Sequence, residues 1–217
     1  MPSFSDLQNH MDSLIRKGLS GSVFVKPFET GDTPIASLTD VAGLLALPAG
    51  YEDVGRLTKD QGANWTRDIE TNDTMSLGAS QPTRRDITSD VTGLAFTMQE
   101  SKRAVFELHE GVDLSAVTAD AQGNVSWDKP DRPRQDRYRV FVLFKDGEGA
   151  DAFYFAKWLP SAQVTDRGAQ PWNEDSELQY PVTLTAFNDS TVGTALRTLW
   201  AGPVDRITTD MGFTAAV

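Results

Sequence analysis

Two segments, residues 138–145 and 152–158, constrain the fold more than any other part of the sequence. The first reads Tyr-Arg-Val-Phe-Val-Leu-Phe-Lys, the second reads Ala-Phe-Tyr-Phe-Ala-Lys-Trp, and Asp146-Gly147-Glu148-Gly149 is a typical hairpin turn between them. A strand with one solvated face alternates apolar and polar residues, whereas these segments are apolar at nearly every position after Arg139. The hairpin is therefore predicted to be covered on both faces, by a helix, a second sheet or another subunit.

Three further strands and one helix are predicted between residues 51 and 111. The strands are 51–55, 63–71 and 91–99, and the helix is 100–110. A turn at Asp60-Gln61-Gly62 precedes the second strand. Ala104, Val105 and Leu108 give the helix one apolar face, and Gly111 is a stop signal.

A long polar loop is predicted over residues 72–90, between the strands 63–71 and 91–99. Loops of this length inside a domain are uncommon and are usually functional or disordered. This one combines polar residues with three apolar side chains and an arginine pair, namely Met75, Leu77, Ile87, Arg84 and Arg85. Such a mixture is typical either of a solvated loop or of a segment that becomes ordered against a partner.

An amphipathic helix is predicted over residues 5–17. Ser5 and Gln8 have the spacing of a capping box, and Gly18 and Gly21 supply a stop. Its apolar stripe consists of Leu7, Met11, Leu14 and Ile15. A helix of this length is not stable alone in water, so it must dock either on its own chain or on a neighbour.

The rest of the chain predicts short strands at 22–28, 125–127, 162–166 and 180–187. Residues 35–47 and 191–200 are ambiguous between strand, helix and irregular structure. The predicted fold is mainly β, an antiparallel β-sandwich or open barrel with a flanking α-helix. The predicted organisation is an N-terminal arm or helix (1–21), a β-domain (22–201) and a C-terminal tail (202–217).

Composition excludes several functions. The formal net charge is −11 and the sequence pI is about 4.6, whereas a specific nucleic-acid binder needs a basic face. The nearest basic cluster, Arg132, Arg134, Arg137 and Arg139, is preceded by Asp131 and interrupted by Pro133 and Asp136. The acidity indicates either solubility or a surface that repels a polyanion. No apolar run approaches the roughly 20 residues of a membrane span, and no secretory signal is visible at the N-terminus.

No catalytic, metal or cofactor site is predicted, and the chain is not expected to be an enzyme. There is no Cys, and the two histidines, His10 and His109, lie far apart in the sequence. The carboxylates between Asp146 and Asp151 do not have the spacing of a calcium loop. Two alternatives stay open, an enzyme that uses a pair of carboxylates and a carbohydrate-binding or adhesin-type β-sandwich with exposed aromatic side chains.

As a whole, residues 22–200 resemble the major tail tube proteins of bacteriophages with long, non-contractile tails. The resemblance lies in the order and spacing of several short motifs: Leu47-Pro48-Ala49-Gly50-Tyr51-Glu52-Asp53-Val54-Gly55, Asn64-Trp65-Thr66, Glu70-Thr71-Asn72-Asp73, Phe96-Thr97-Met98-Gln99-Glu100-Ser101-Lys102-Arg103-Ala104-Val105-Phe106-Glu107-Leu108, Val164-Thr165-Asp166-Arg167-Gly168 and Tyr180-Pro181-Val182-Thr183-Leu184-Thr185-Ala186-Phe187.

This resemblance implies a structural virion protein. Subunits would join edge to edge into hexameric rings, and stacked rings would form the tube through which the genome is ejected. The implied partners are the tail tip or baseplate initiator, the tape measure protein and the tail terminator, with assembly in the bacterial cytoplasm. The loop 72–90 would contact the adjacent ring, and the N-terminal arm would reach a neighbour. The acidity would then line the lumen and repel DNA phosphates, with Asp60, Asp68, Glu70 and Asp73 as the candidate residues.

Overall fold

The described residues, 4, 7–132 and 134–215 of a computed structural model, form one antiparallel sheet of eight strands and one α-helix. The elements are β1 (Ser20–Pro27), β2 (Glu52–Asp53), β3 (Ala63–Thr74), β4 (Arg84–Met98), α1 (Arg103–Glu110), β5 (Arg137–Asp146), β6 (Phe153–Arg167), β7 (Tyr180–Ala186) and β8 (Arg197–Ala201). The strand order is β2-β1-β5-β6-β7-β4-β3, and β8 also pairs with β6. The mainly-β, antiparallel fold with a flanking helix is thereby confirmed.

The long strand β6 divides the sheet into two layers. One edge of β6 pairs with β5 from Phe153 to Gln163, whereas its other edge pairs first with β8 and then, from Ala162 onward, with β7. Near the middle, Pro160 and Ser161 lie opposite the single residue Arg139, because the pairs on either side are Val140 with Leu159 and Tyr138 with Ala162. Proline donates no backbone hydrogen bond and is found at such bulges, which bend a strand. The bend lets the sheet fold over its own apolar face.

The main core lies between these two layers. Buried side chains from β1, β4, β5, β6 and β7 meet there, and α1 adds Ala104, Val105 and Leu108. The helix begins at Arg103, three residues later than predicted, and ends at Gly111, whose φ of 70° is left-handed. Glycine adopts this conformation without steric cost, so the predicted stop signal is confirmed.

The predicted hairpin of residues 138–145 and 152–158 is also confirmed, as β5 and the first half of β6. Val140 and Val142 face the main core, whereas Phe141 and Trp158 face a second cluster on the other side. Residues 28–51, named here the strap, cover that second side. The strap contributes the buried side chains of Ile35 and Leu38 to the second cluster. Both covers therefore come from the same chain.

A buried arginine fastens the strap. The side chain of Arg139 is 2% exposed, and its Nε lies 3.2 Å from Oδ2 of Asp32 in the strap. Its Nη2 lies 3.3 Å from Oδ2 of Asp189 and donates a hydrogen bond to the carbonyl oxygen of Glu29 at 3.0 Å. A buried cation requires such partners, so Arg139 holds the strap and the turn at Asp189 against β5.

Several sequence predictions are wrong. Residues 7–17 contain no α-helix, only a 3₁₀ turn at Asp12–Leu14, and the predicted cap Ser5 lies outside the described residues. Without a docking surface so short a helix is unstable, because the free-energy cost of forming its first turn exceeds the stabilisation from its few hydrogen bonds. Residues 125–127 form no strand, and the segment 162–166 is part of β6. None of the helices in the described chain combines the length and apolarity needed to cross a membrane.

Candidate assembly surfaces

The strands β3 and β4 extend beyond the core as a hairpin, residues 67–91, named here the arm. The pairing runs from Ala63 with Phe96 to Thr74 with Arg84, interrupted by one β-bulge at Thr88, and residues 75–83 form the tip. The predicted loop 72–90 is therefore wrong as a loop, because most of it is strand. The cause is local: threonines favour extended backbone, and ion pairs join the two strands.

The two faces of the arm differ in chemistry. Side chains alternate along a strand, so Arg67, Ile69, Thr71 and Asp73 share the face on which Trp65 packs against the core. On β4 the same face carries Asp90, Ile87 and Arg85. Ile69 is 47% exposed and Ile87 is 66% exposed. This side is named the apolar face of the arm.

Ion pairs neutralise the charges of the apolar face. Arg67 donates to both carboxylate oxygens of Asp90, at 2.8 and 2.6 Å, and Arg85 donates to both oxygens of Asp73, at 2.6 and 2.8 Å. These hydrogen bonds hold the pKa of Asp73 and of Asp90 below the ordinary value. Two isoleucines between neutralised ion pairs form a surface suited to another protein surface.

The opposite side of the hairpin, named the acidic face, carries Asp68 and Glu70. The three cations of the arm bind other carboxylates, because Arg84 pairs with Asp86 at 2.8 Å while Arg67 and Arg85 bind on the apolar face. Asp68 and Glu70 are therefore exposed to solvent without a cationic partner from the arm. Toward the core, this face continues with the small, uncharged residues Thr66, Gly93, Ala95, Thr183 and Thr185.

The four predicted acids therefore do not form one group. Asp68 and Glu70 share the acidic face, whereas Asp73 lies on the apolar face and is paired with Arg85. Asp60 lies in the exposed turn before β3. Asp86 was not predicted, because a β-bulge at Thr88 brings it to this face. The threonine surface was not predicted, because it depends on the pairing of β4 with β3 and β7.

The predicted loop residues all lie on the arm, in three different places. Met75 and Leu77 lie in the tip, 59% and 108% exposed, and neither packs against the core. Ile87 and Arg85 lie on the apolar face, and Arg84 lies on the acidic face. An isolated two-stranded hairpin is marginally stable in water, so an arm with this much exposed apolar surface is suited to a partner.

The N-terminal segment, residues 7–15, is a second exposed apolar element. Leu7 is 72%, Met11 41% and Ile15 70% exposed, and Leu14 is partly exposed. Among the described residues, the contacts that anchor this segment to the sheet follow its end: the guanidinium of Arg16 lies 3.6 Å from the ring centroid of Phe153, and the amide of Leu19 donates to the carbonyl of Lys145 at 3.1 Å. The predicted stripe is thus exposed on a segment without regular structure.

The free edge of β3 is a third feature of the surface. Among the strands of the described residues, β3 pairs with β4 alone, on one side, from Ala63 to Thr74. An unpaired strand edge offers a row of backbone donors and acceptors to another chain. On the opposite end of the sheet, β2 covers only Phe24 and Val25 of β1. Both ends of the sheet are therefore available for pairing.

Groups with catalytic potential are engaged in structural contacts. His109 packs edge-on against Tyr180, with ring centroids 5.6 Å apart, and lies 3.4 Å from the carbonyl oxygen of Gly168. Asp146 pairs with Arg16 at 3.7 Å. In the described part of the chain, no group of three or more His, Asp or Glu residues is arranged to hold a metal ion.

Three solved structures match this chain at low similarity. The anti-feeding prophage cap, described as a tube terminating cap, is 9% identical with a TM-score of 0.44, over 90% of this chain and 97% of that chain. A chain of the anti-feeding prophage baseplate is 10% identical with a TM-score of 0.40, over 85% of this chain and 93% of that one. An Hcp protein is 13% identical with a TM-score of 0.29, over 83% and 98%. TM-scores this low do not identify a function.

The sequence comparison is more specific. No curated protein matches the chain. A family model described as phage tail tube protein matches residues 9–200. The match includes the strap, the arm, α1, the strands β1 to β7 and all of β8 except its last residue. The chain therefore belongs to the phage tail tube protein family, and it is a structural protein of the phage tail.

Proposed function

We propose that this chain assembles into hexameric rings that stack into the tube of a long, non-contractile phage tail, and that the genome is ejected through the tube. The observation that carries the proposal is the arm, whose two faces separate apolar from acidic side chains. Such a separation is useful only if the two faces meet different surroundings. A protein neighbour on one side and DNA on the other meets this requirement.

Ring closure would use the apolar face and the free edge of β3. A contact between two different surfaces of identical subunits closes into a ring when the rotation per subunit is suitable. Pairing β3 with the weakly covered end of the next subunit's sheet would also remove two exposed edges. The tip, with Met75 and Leu77, would contact the adjacent ring.

The acidic face would line the lumen. Asp68 and Glu70 would repel DNA phosphates, and the threonines, Gly93 and Ala95 offer no cation or large aromatic ring to which DNA would adhere. Asp73 is not proposed for this role, because Arg85 neutralises it on the other face. The proposed partners are a tail tip or baseplate initiator, a tape measure protein and a tail terminator, and the proposed site of assembly is the bacterial cytoplasm.

Electron microscopy of the purified protein with and without the arm tests the assembly. Asp68 and Val91 are directly paired, so an Asn-Gly turn in place of residues 69–90 should close the shortened hairpin. We expect hollow tubes or six-fold rings from the complete chain at high concentration, and a folded monomer from the shortened chain. Circular dichroism checks the fold of the shortened variant. Tubes formed without the arm would refute its role.

Charge reversal tests the lumen. In phage that carry Asp68→Lys/Glu70→Lys, we expect intact tubes but slow or stalled genome ejection, because lysines attract the phosphates of the passing DNA. The matched control is Glu174→Lys/Asp175→Lys, which makes the same charge change in the exposed loop between β6 and β7. Ejection at the control rate from the Asp68/Glu70 variant would exclude this face from the lumen.

A further inference from the structure

An apolar groove opens where the two layers of the sheet part, between the start of β3 and the strands β6 and β8. It encloses a cavity of about 410 Å³. Its walls carry an aromatic series in which the ring centroids of Phe144 and Phe155 lie 6.0 Å apart and those of Phe155 and Trp200 lie 5.3 Å apart. Trp65 closes the other side, and Trp200 is 42% exposed. Aromatic side chains that face solvent together mark an interaction site.

The groove has one charged wall residue. The ammonium of Lys157 lies 4.6 Å from the ring centroid of Trp65, and the described residues place no carboxylate within ion-pair distance of it. Polar groups are otherwise few, chiefly Gln61 and Thr198. A carbohydrate needs several hydrogen-bonding partners, so an apolar side chain flanked by a negative charge fits this groove better.

The N-terminal segment has this chemistry. In its sequence, the apolar residues Leu7, Met11, Leu14 and Ile15 have helical spacing. Residues 7–15 nevertheless form no α-helix, because they have no surface on which to dock. Residues 5–15 carry two negative charges, Asp6 and Asp12, and no Lys or Arg, which complements Lys157. The tip of the arm, in contrast, is uncharged and already held by hydrogen bonds, including Thr83 N to Thr74 O at 2.9 Å.

The anchor of the segment decides which copy fills the groove. Gly18 forms part of the groove wall, but Arg16 is bound just beyond it by Phe153 and Asp146. None of the chain's own residues 7–15 lines the groove, and with Arg16 held they would have to reverse direction directly before it to enter the groove. The segment of another copy meets no such restraint.

We propose that the groove binds residues 7–15 of a second copy of the chain, folded there as the amphipathic helix that the sequence predicts. Met11 and its apolar neighbours would lie against Trp65, Phe155 and Trp200, with Asp12 near Lys157. The inference rests on the proposed function, because a tube brings copies of the chain into contact. It adds a specific receptor site and a folding event to that assembly.

Disulfide cross-linking tests the proposal directly, because the chain contains no Cys. Chains with Met11→Cys and chains with Thr198→Cys are mixed, assembled and oxidised. Thr198 is exposed at the groove, so we expect a cross-linked heterodimer. The matched control replaces Thr198→Cys by Ser126→Cys, at an exposed position outside the groove, and should give no cross-link.

The outcomes separate this proposal from the proposed function. Tubes without the Met11–Thr198 cross-link would overturn the groove assignment and leave tube assembly intact. A cross-link in closed dimers that never form tubes would support the groove and overturn the tube. A chain carrying both substitutions that cross-links within itself at high dilution would show that its own segment fills the groove. That result would also overturn the proposal.

Discussion

Replacement of Arg139 by Met should be among the most destabilising single changes in this protein. The guanidinium is nearly inaccessible to water and lies between Asp32 and Asp189, at 3.2 and 3.3 Å, in the geometry of ion pairs rather than aligned hydrogen bonds. Arg139 also lies 4.9 Å from the ring centroid of Phe28. Methionine fills much of the same space but leaves the carboxylates without this cation.

The size of the expected loss in stability depends on which partners each carboxylate keeps in the Arg139→Met variant. Asp32 keeps Lys26, whose Nζ lies 2.9 Å away. Asp189 is only 4% exposed and keeps a single hydrogen bond from the amide of Thr191 at 2.9 Å. Breaking a buried ion pair costs about 3–5 kcal/mol, and one orphaned carboxylate places this variant near the lower limit. For a chain of this size, that corresponds to a decrease in Tm of roughly 6–12 °C.

Urea denaturation of three proteins measures this effect: wild type, Arg139→Met, and Arg139→Met/Asp189→Asn. The double variant removes the orphaned charge, so it should recover most of the lost free energy of unfolding. A loss below about 1 kcal/mol in the single variant would contradict the reasoning, because that is the value of an exposed pair. A double variant that recovers nothing would show that lost packing, and not the charge, causes the instability.

Two further predictions concern local structure. Gly55 has a φ of 90°, and a Cβ there would displace the carboxylate of Glu100, which accepts a hydrogen bond from the amide of Arg56 at 2.7 Å. Gly55→Ala should therefore cost more than the roughly 1–2 kcal/mol of left-handed backbone strain alone. Gly62→Ala is the control for that strain, because its φ is 53° and its Cβ would meet nothing. Hydrogen bonds from Ser115 and from Arg134 lower the pKa of Asp113 to about 2, below its ordinary 3.8. Its stabilisation is therefore present at neutral pH and lost as the pH falls from 3.8 to about 2, and NMR titration of Ser115→Ala should show a higher Asp113 pKa.

The sequence predicts the parts of this fold that depend on local pattern. Three elements carry a hydrophobic repeat or a stop signal within a few residues, and the structure confirms them. They are the two-sided apolar hairpin, the helix that is followed by Gly111, and the strand 180–187. The strap shows the limit of such reasoning. The apolar residues of the segment 35–47 follow neither helical nor strand spacing. The structure of this segment is imposed by the surface of Phe141 and Trp158, on which it packs.

Arg139 shows a second limit. In the sequence it is the last member of a basic cluster, yet Arg139 is buried, Arg134 pairs with Asp113 and Asp136, and Arg137 stacks on Phe187. Most of these partners are distant in sequence, so no spacing rule identifies them. Arg132, Arg134 and Arg137 are exposed, but Arg139 is not part of their surface. The cation that fastens the strap is therefore visible only in the folded chain.

The arm owes its two chemically different faces to one residue that strand periodicity does not reveal. Ile87 and Asp90 differ by three positions, and uninterrupted alternation would put them on opposite faces. The bulge at Thr88 takes one residue out of the pairing, so Ile87 opposes Thr71 and Asp90 opposes Ile69 on the same side. Arg85 thereby reaches Asp73, the apolar face becomes neutral, and Asp68 and Glu70 stay unpaired on the other face. A single bulge thus decides which carboxylates of an acidic chain are neutralised and which can repel a polyanion.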